Sequence, residues 1–151
     1  MKTVILNQKE LIEYLKDKDY TKLALISFGD EGDDSFDLSN YKNLQYIKCS
    51  IEDLWYDEIK DEKLFNEVFN NIGKFIVECH NKKIDTIICQ CVHGESRSAA
   101  CAAAINEYYN HDGIKIFADY KYSPNQYFYN KIYESIKLYV KCKTNFHTMK
   151  A

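Results

Sequence analysis

The apolar positions of this chain change their period in a regular order. Lys2–Leu6 is a β-branched run of strand length, and Gln8–Lys18 then sets Leu11, Ile12 and Leu15 on one face of an amphipathic helix. Asn7 and Glu10 have the identities and spacing of a helix N-cap and its capping-box partner. Lys22–Phe28 is apolar at strand length, and Leu44–Ser50 reads as a further strand leading into a loop over Ile51–Asp57. Between those strands, Gly29–Asn40 is polar and holds Asp30, Glu31, Asp33, Asp34 and Asp37. Their spacing does not match a calcium-binding loop, so they read as a solvated surface.

Asp61–Lys83 carries the longest helical pattern, with Leu64, Val68, Ile72, Phe75, Ile76 and Cys79 sharing a face. Asp85–Cys91 has the length and β-branching of a buried strand. After a loop over Cys91–Ser98, the alanine-rich Ala99–Tyr109 is helical. A final helix starts at Ser123-Pro124, read as N-cap and N1, and continues through Tyr127, Phe128, Ile132, Ile136 and Val140. Strands that alternate with helices predict an α/β fold: a mostly parallel central sheet flanked by helices on both faces. With no repeat or linker, residues 1–151 read as one domain.

Composition narrows the function. A chain that is 46% hydrophobic and 28% charged is ordinary for a globular protein. It has no apolar run of about 18 residues, and the apolar run before Asn7 is only Val4–Leu6, so neither a membrane span nor a signal peptide is expected. A cytoplasmic protein follows. A net charge of −3 argues against a nucleic acid polymer as partner, because backbone neutralisation needs a clustered basic face. Cys49, Cys79, Cys89, Cys91, Cys101 and Cys142 lack the spacing of a disulfide framework and are expected to be reduced, with one reactive.

The chemistry concentrates in Cys91-Val92-His93-Gly94-Glu95-Ser96-Arg97-Ser98. Arg97 is the one arginine in a chain with nineteen lysines. Its planar fork grips phosphate or carboxylate with two parallel hydrogen bonds, which an ammonium does not do. The loop lies between a strand and a helix, where open α/β sheets present ligands. Its backbone N–H groups and the following helix N-terminus face a bound anion and favour a thiolate at Cys91. Gly94 allows a tight turn and a close approach to phosphate, and Ser96 has a hydroxyl to steady the sulfur.

These residues resemble the signature of cysteine-dependent protein tyrosine and dual-specificity phosphatases: Cys91-x-x-Gly94-x-Ser96-Arg97-Ser98, opening a helix at Ala99-Ala100. The likeness continues in Lys121-Tyr122-Ser123-Pro124-Asn125 with Tyr129, and in Ile26-Ser27 before an acidic loop with Ile51-Glu52-Asp53-Leu54 after the third strand. It spans roughly residues 22–140 and is close to small bacterial and phage members. The resemblance implies a dual-specificity-phosphatase-like fold with Cys91 as nucleophile and Arg97 as phosphoryl clamp. Ser98 joins the catalytic set, and Val92, His93, Gly94, Glu95, Ser96 and Asn125 are expected to bind substrate. It places the general acid at Asp53, with Asp57 and Glu52 as the other candidates. No metal or cofactor is implied. The partner is a phosphorylated protein or a small phosphomonoester or nucleotide, and oligomeric state is left open. Tyr120, Tyr122 and Tyr129 are expected to wall the pocket, and Trp55 to anchor the acid loop.

Two positions depart from the family pattern. Gln90 stands where the family has a histidine before the nucleophile, and Glu95 puts an acid at the rim. Gln90 and the open choice of acid feed an alternative: a binding module that grips a phosphate ligand or nucleotide without turning it over. A sulfur-transfer protein of the rhodanese type fits the serine after Arg97 poorly. Other readings of single residues remain: Cys91 as a buried strand-end cysteine, Arg97 in a plain salt bridge, His93 facing solvent. Cys89, Cys91 and His93 are too close along a strand to wrap a zinc ion. Cys89 and Cys91 share a strand face near the upper limit of disulfide reach, which leaves a redox pair as a hypothesis.

Overall fold

A computed structural model describes residues 1–32 and 37–148, with side chains to residue 144. Asp33 and Asp34 of the acidic loop lie outside the described residues. The strands are β1 (Lys2–Leu6), β2 (Leu23–Gly29), β3 (Gln45–Ser50) and β4 (Thr86–Gln90), and the helices are α1 (Gln8–Leu15), α2 (Glu62–Asn81), α3 (Arg97–Asn110), α4 (Ile114–Ala118) and α5 (Gln126–Thr148). The sheet runs β1-β4-β2-β3 with every pair parallel, so all four strands end at the same edge.

Alternation along the two central strands assigns the layers. Ala24, Ile26 and Phe28 of β2, with Ile87 and Cys89 of β4 and Cys91 just beyond it, enter the large core under α2, α3 and α5. Leu23, Leu25 and Ile88 point the other way and pack on Leu11 and Leu15 of α1. Helices therefore cover both faces. Gln90 falls on the α1 side, where its register partner is Ser27. The Ser27 hydroxyl donates to Gln90 Oε1 at 2.6 Å, so this buried polar pair is mutually satisfied.

Helix ends differ from the sequence expectation in instructive ways. Asn7 and Glu10 do form a capping box, with each side chain bonding the other's backbone N–H at 2.9 Å. Yet α1 stops at Leu15 rather than Lys18, because Lys16 is extended and Asp17 takes φ 55°. Helix α2 starts from an Asp61 cap and buries Phe69, Ile72, Gly73, Ile76, Val77 and Cys79, while Leu64 of the expected face is 54% exposed. Gly73 is required there: a Cβ would stand 2.0 Å from Ser135 Oγ, so α2 and α5 cross in close contact. The short α4 was not expected at all. Helix α5 begins at Gln126, not at Pro124, since Asn125 rather than Ser123 caps it: Asn125 Oδ1 accepts from the Tyr127 and Phe128 N–H groups at 3.0 and 3.2 Å.

Candidate active site

Cys91 sits just past β4 and Arg97 opens α3, so the intervening residues join the carboxyl edge of the sheet to a helix N-terminus. Gly94 turns this loop with φ +71°, in the left-handed region that costs any other L residue. A Cβ on it would also meet Asn7 N at 2.8 Å and the Leu6 carbonyl carbon at 3.0 Å, so the loop is packed directly on the β1–α1 turn. The result points inward. The Gly94 N–H donates to Cys91 Sγ at 3.3 Å, and Ser98 Oγ lies 3.1 Å from the same sulfur. Cys91 is 3% exposed and Ser98 fully buried. The hydroxyl that reaches the thiol is therefore that of Ser98; Ser96, expected to do so, is the α3 N-cap and makes no side-chain cap bond.

Arg97 is buried to 5% exposure and held on one side. Its Nη1 donates to Asp30 Oδ1 at 2.8 Å and to the Ile51 carbonyl at 2.7 Å. Its Nε is buried with no partner among the described residues. An unmade hydrogen bond on a buried donor costs about 1–3 kcal/mol, which an arriving anion recovers. Asp30 was read from sequence as part of a solvated acidic loop. The signal that could have found it is its place directly after β2, at the sheet edge where β4 delivers Cys91.

Two struts tie the segment after β3 to the residues around the Cys91–Arg97 loop. Arg97 grips Ile51 directly. Asn125 donates from Nδ2 to Asp53 Oδ1 at 2.8 Å and to the Leu54 carbonyl at 3.0 Å, while the Ser123 N–H two residues earlier bonds the Glu95 carbonyl at 3.0 Å. Asn125 is 1% exposed with its amide engaged at both ends. These bonds place it inside the scaffold, between the segment after β3 and the start of α5. Asp53 is exposed, and so are Glu52 and Asp57. Asp57 sits in a short helical turn over Tyr56–Glu58, facing a different cleft lined by Tyr56, Ile59, Glu62 and Tyr127.

The remaining candidates divide. His93 and Glu95 are exposed at the loop rim, and Val92 and Ser96 are half-buried. Trp55 is 56% exposed, so its indole does not anchor the segment through burial; its backbone N–H instead bonds Glu58 Oε2 at 2.7 Å. Tyr129 packs between Phe117 and Tyr133 at centroid distances of 5.1 and 6.0 Å, and Tyr120 is fully exposed. Neither side chain is placed as a pocket wall by these contacts. Cys89 and Cys91 are both free thiols in the core. Among the described residues no cluster of three or more His, Cys, Asp or Glu is arranged to hold a metal, and no helix is long and apolar enough to cross a membrane.

No family model matches the chain, and no curated protein is similar to it in sequence. Solved structures are similar in fold. The crystal structure of PTPMT1 superposes with a TM-score of 0.58 at 14% identity, covering 95% of each chain. A leucine-rich repeat and phosphatase domain containing protein from Entamoeba histolytica gives a TM-score of 0.49 at 14% identity, covering 93% of this chain and 89% of the other. At this identity the likeness to PTPMT1 speaks for the fold. The chain has the α/β fold of dual-specificity-type phosphatases.

Proposed function

We propose that this protein is a cysteine-dependent phosphomonoester hydrolase working through a cysteinyl-phosphate intermediate. One observation carries the reading: Cys91 Sγ accepts from Gly94 N–H and meets Ser98 Oγ, while Arg97, at the start of the adjoining helix, keeps a buried donor unpartnered. A buried cysteine with only a structural role has no need of a hydroxyl, a glycine amide and an anion clamp around it.

The Cys91 thiolate attacks phosphorus in line with the leaving oxygen, forming the S–P bond as the P–O bond breaks. Arg97 and the loop N–H groups hold the equatorial oxygens where charge builds up. Asp53 gives its proton to the departing alcohol or phenol, and its carboxylate then takes a proton from water. That water attacks phosphorus, the S–P bond breaks, and phosphate leaves with the thiolate restored. The Ser98 hydroxyl and Gly94 amide stabilise the sulfur as it regains its charge. Asp53 is preferred to Glu52 and Asp57 because Asn125 fixes its carboxylate and because that segment is strapped to the loop through both Arg97 and Asn125. Gln90 has no charge to offer the thiolate and is engaged with Ser27 on the opposite face, so Ser98, Gly94 and the α3 N-terminus carry that stabilisation alone.

Acid quenching during turnover of p-nitrophenyl phosphate, followed by peptide mass spectrometry, tests this reading. One phosphoryl group on the peptide containing Cys91 is expected. Turnover with phosphate on another residue, or none on any, would contradict it.

A further inference from the structure

Beside the acid segment lies a groove enclosing about 570 Å³ that the hydrolytic chemistry does not use. Its floor is apolar, from Ile51, Leu54 and Phe65, and Leu64 lines it from the start of α2 while 54% exposed. Its rim is acidic. Glu31, Glu52, Glu58 and Asp61 line it with one lysine, Lys60. Glu58 and Asp61 each use one oxygen on a backbone N–H, of Trp55 and Leu64, which holds those carboxylates in place. The groove adjoins the phosphate clamp: the Ile51 carbonyl that Arg97 grips at 2.7 Å belongs to a residue of the groove wall.

We propose that this groove receives the residues flanking the phosphorylated one in a protein substrate, and selects a flank that pairs a lysine or arginine with an apolar side chain. The proposal rests on the phosphatase reading for the placement of the phosphate. An extended chain advances about 3.3–3.6 Å per residue, so side chains two or three positions away lie about 7–11 Å along the chain from the phosphorylated residue. The apolar floor takes the aliphatic stem or neighbouring leucine, and the carboxylates take the cation. The same rim repels an acidic peptide and the anionic surface of a bilayer.

Two phosphotyrosine peptides of equal length test it, one with lysines and leucines on both flanks and one with glutamates replacing the lysines. Binding to Cys91→Ser is read by fluorescence polarisation, with p-nitrophenyl phosphate turnover of the Cys91-containing protein measured in parallel. The basic peptide is expected to bind about tenfold tighter at low salt, the preference shrinking as the Debye length falls below about 10 Å. Adding Leu64→Lys, an exposed site outside the chemistry, should remove most of that preference while leaving p-nitrophenyl phosphate turnover unchanged in the Cys91-containing protein. Equal binding of the two peptides, or a preference that Leu64→Lys does not alter, would overturn the proposal. So would a dimer that Leu64→Lys splits, which would make the groove a contact between copies of this chain. A preference that survives in a protein without turnover would support the groove and contradict the catalytic reading.

Discussion

Asn125 and Asp53 are 72 residues apart and joined by a 2.8 Å hydrogen bond from the amide of one to the carboxylate of the other. The same Asn125 side chain caps α5 through its oxygen. One buried amide thus couples the start of the last helix to the proposed general acid, and replacing it tests both roles separately. Asn125→Ala should lose about 1 kcal/mol of stability as a lost cap. Its catalytic effect should depend on the leaving group. Phenyl phosphate needs a proton more than p-nitrophenyl phosphate does, so kcat should fall about tenfold for the former and little for the latter. Asp53→Asn should show the same split, reaching roughly 10²-fold for phenyl phosphate. An equal loss on both substrates would remove Asp53 from the acid role.

Arg97 and Asp30 form an ion pair at 2.8 Å. The Asp30 side chain is 58% exposed, so solvent screens the pair and its worth is at most about 1 kcal/mol. Under the proposed phosphatase reading, Asp30→Asn removes a charge that competes with phosphate for the guanidinium while keeping a hydrogen-bonding oxygen. Inorganic phosphate should inhibit the variant at up to about fivefold lower concentration. Weaker inhibition would make Asp30 a residue that orients Arg97 rather than one that competes for it.

Gly94→Ala meets two penalties at once, a left-handed φ and a Cβ 2.8 Å from the Asn7 nitrogen. Backbone strain of this kind costs about 1–3 kcal/mol. A loop that shifts to relieve it moves its amide off Cys91 Sγ. Thermal unfolding should come several degrees earlier, and turnover should fall about 10²-fold. A variant with full activity would show that the Gly94 amide contributes nothing to the sulfur.

Much of this fold was written in short-range pattern. The Asn7–Glu10 capping box involves residues three apart, and the apolar runs Lys22–Phe28 and Asp85–Cys91 mark strands by their length, while the layers above and below set which face each residue covers. The Cys91–Arg97 loop is likewise contiguous. What escaped was fixed by distant neighbours. Ser123-Pro124 is as good a local helix start as Asn125, and the need to hold Asp53 decides between them. Asp30 was one acid among five until the sheet brought the end of β2 beside Arg97. Helix α4 spans five residues, too few to display a period. Leu64 fits the apolar stripe of α2 by spacing, but the groove beneath it leaves it open.

Alkaline conditions give a separate check on the core. Burial pushes the Cys49 thiol from 9.0 up to about 12 and the Cys79 thiol to about 11, and raises Tyr109 from 10.0 to about 12. In each case the folded value lies above the unfolded one, so the contribution is intact below the unfolded value and lost as pH rises toward the folded one. Urea midpoints should hold steady to about pH 8.5 and fall between 9 and 11, less steeply in Cys49→Ala. A midpoint unchanged through that range would contradict the burial of these groups.

The most direct measurement is p-nitrophenyl phosphate hydrolysis across about pH 5 to 8 by the native protein and by Cys91→Ser. Turnover by the native protein that vanishes in the variant, with an acid limb reporting ionisation of the free enzyme, is the predicted result. Equal rates from the two proteins, or none from either, would contradict a cysteinyl-phosphate enzyme and leave the loop as a site that grips phosphate without hydrolysing its ester.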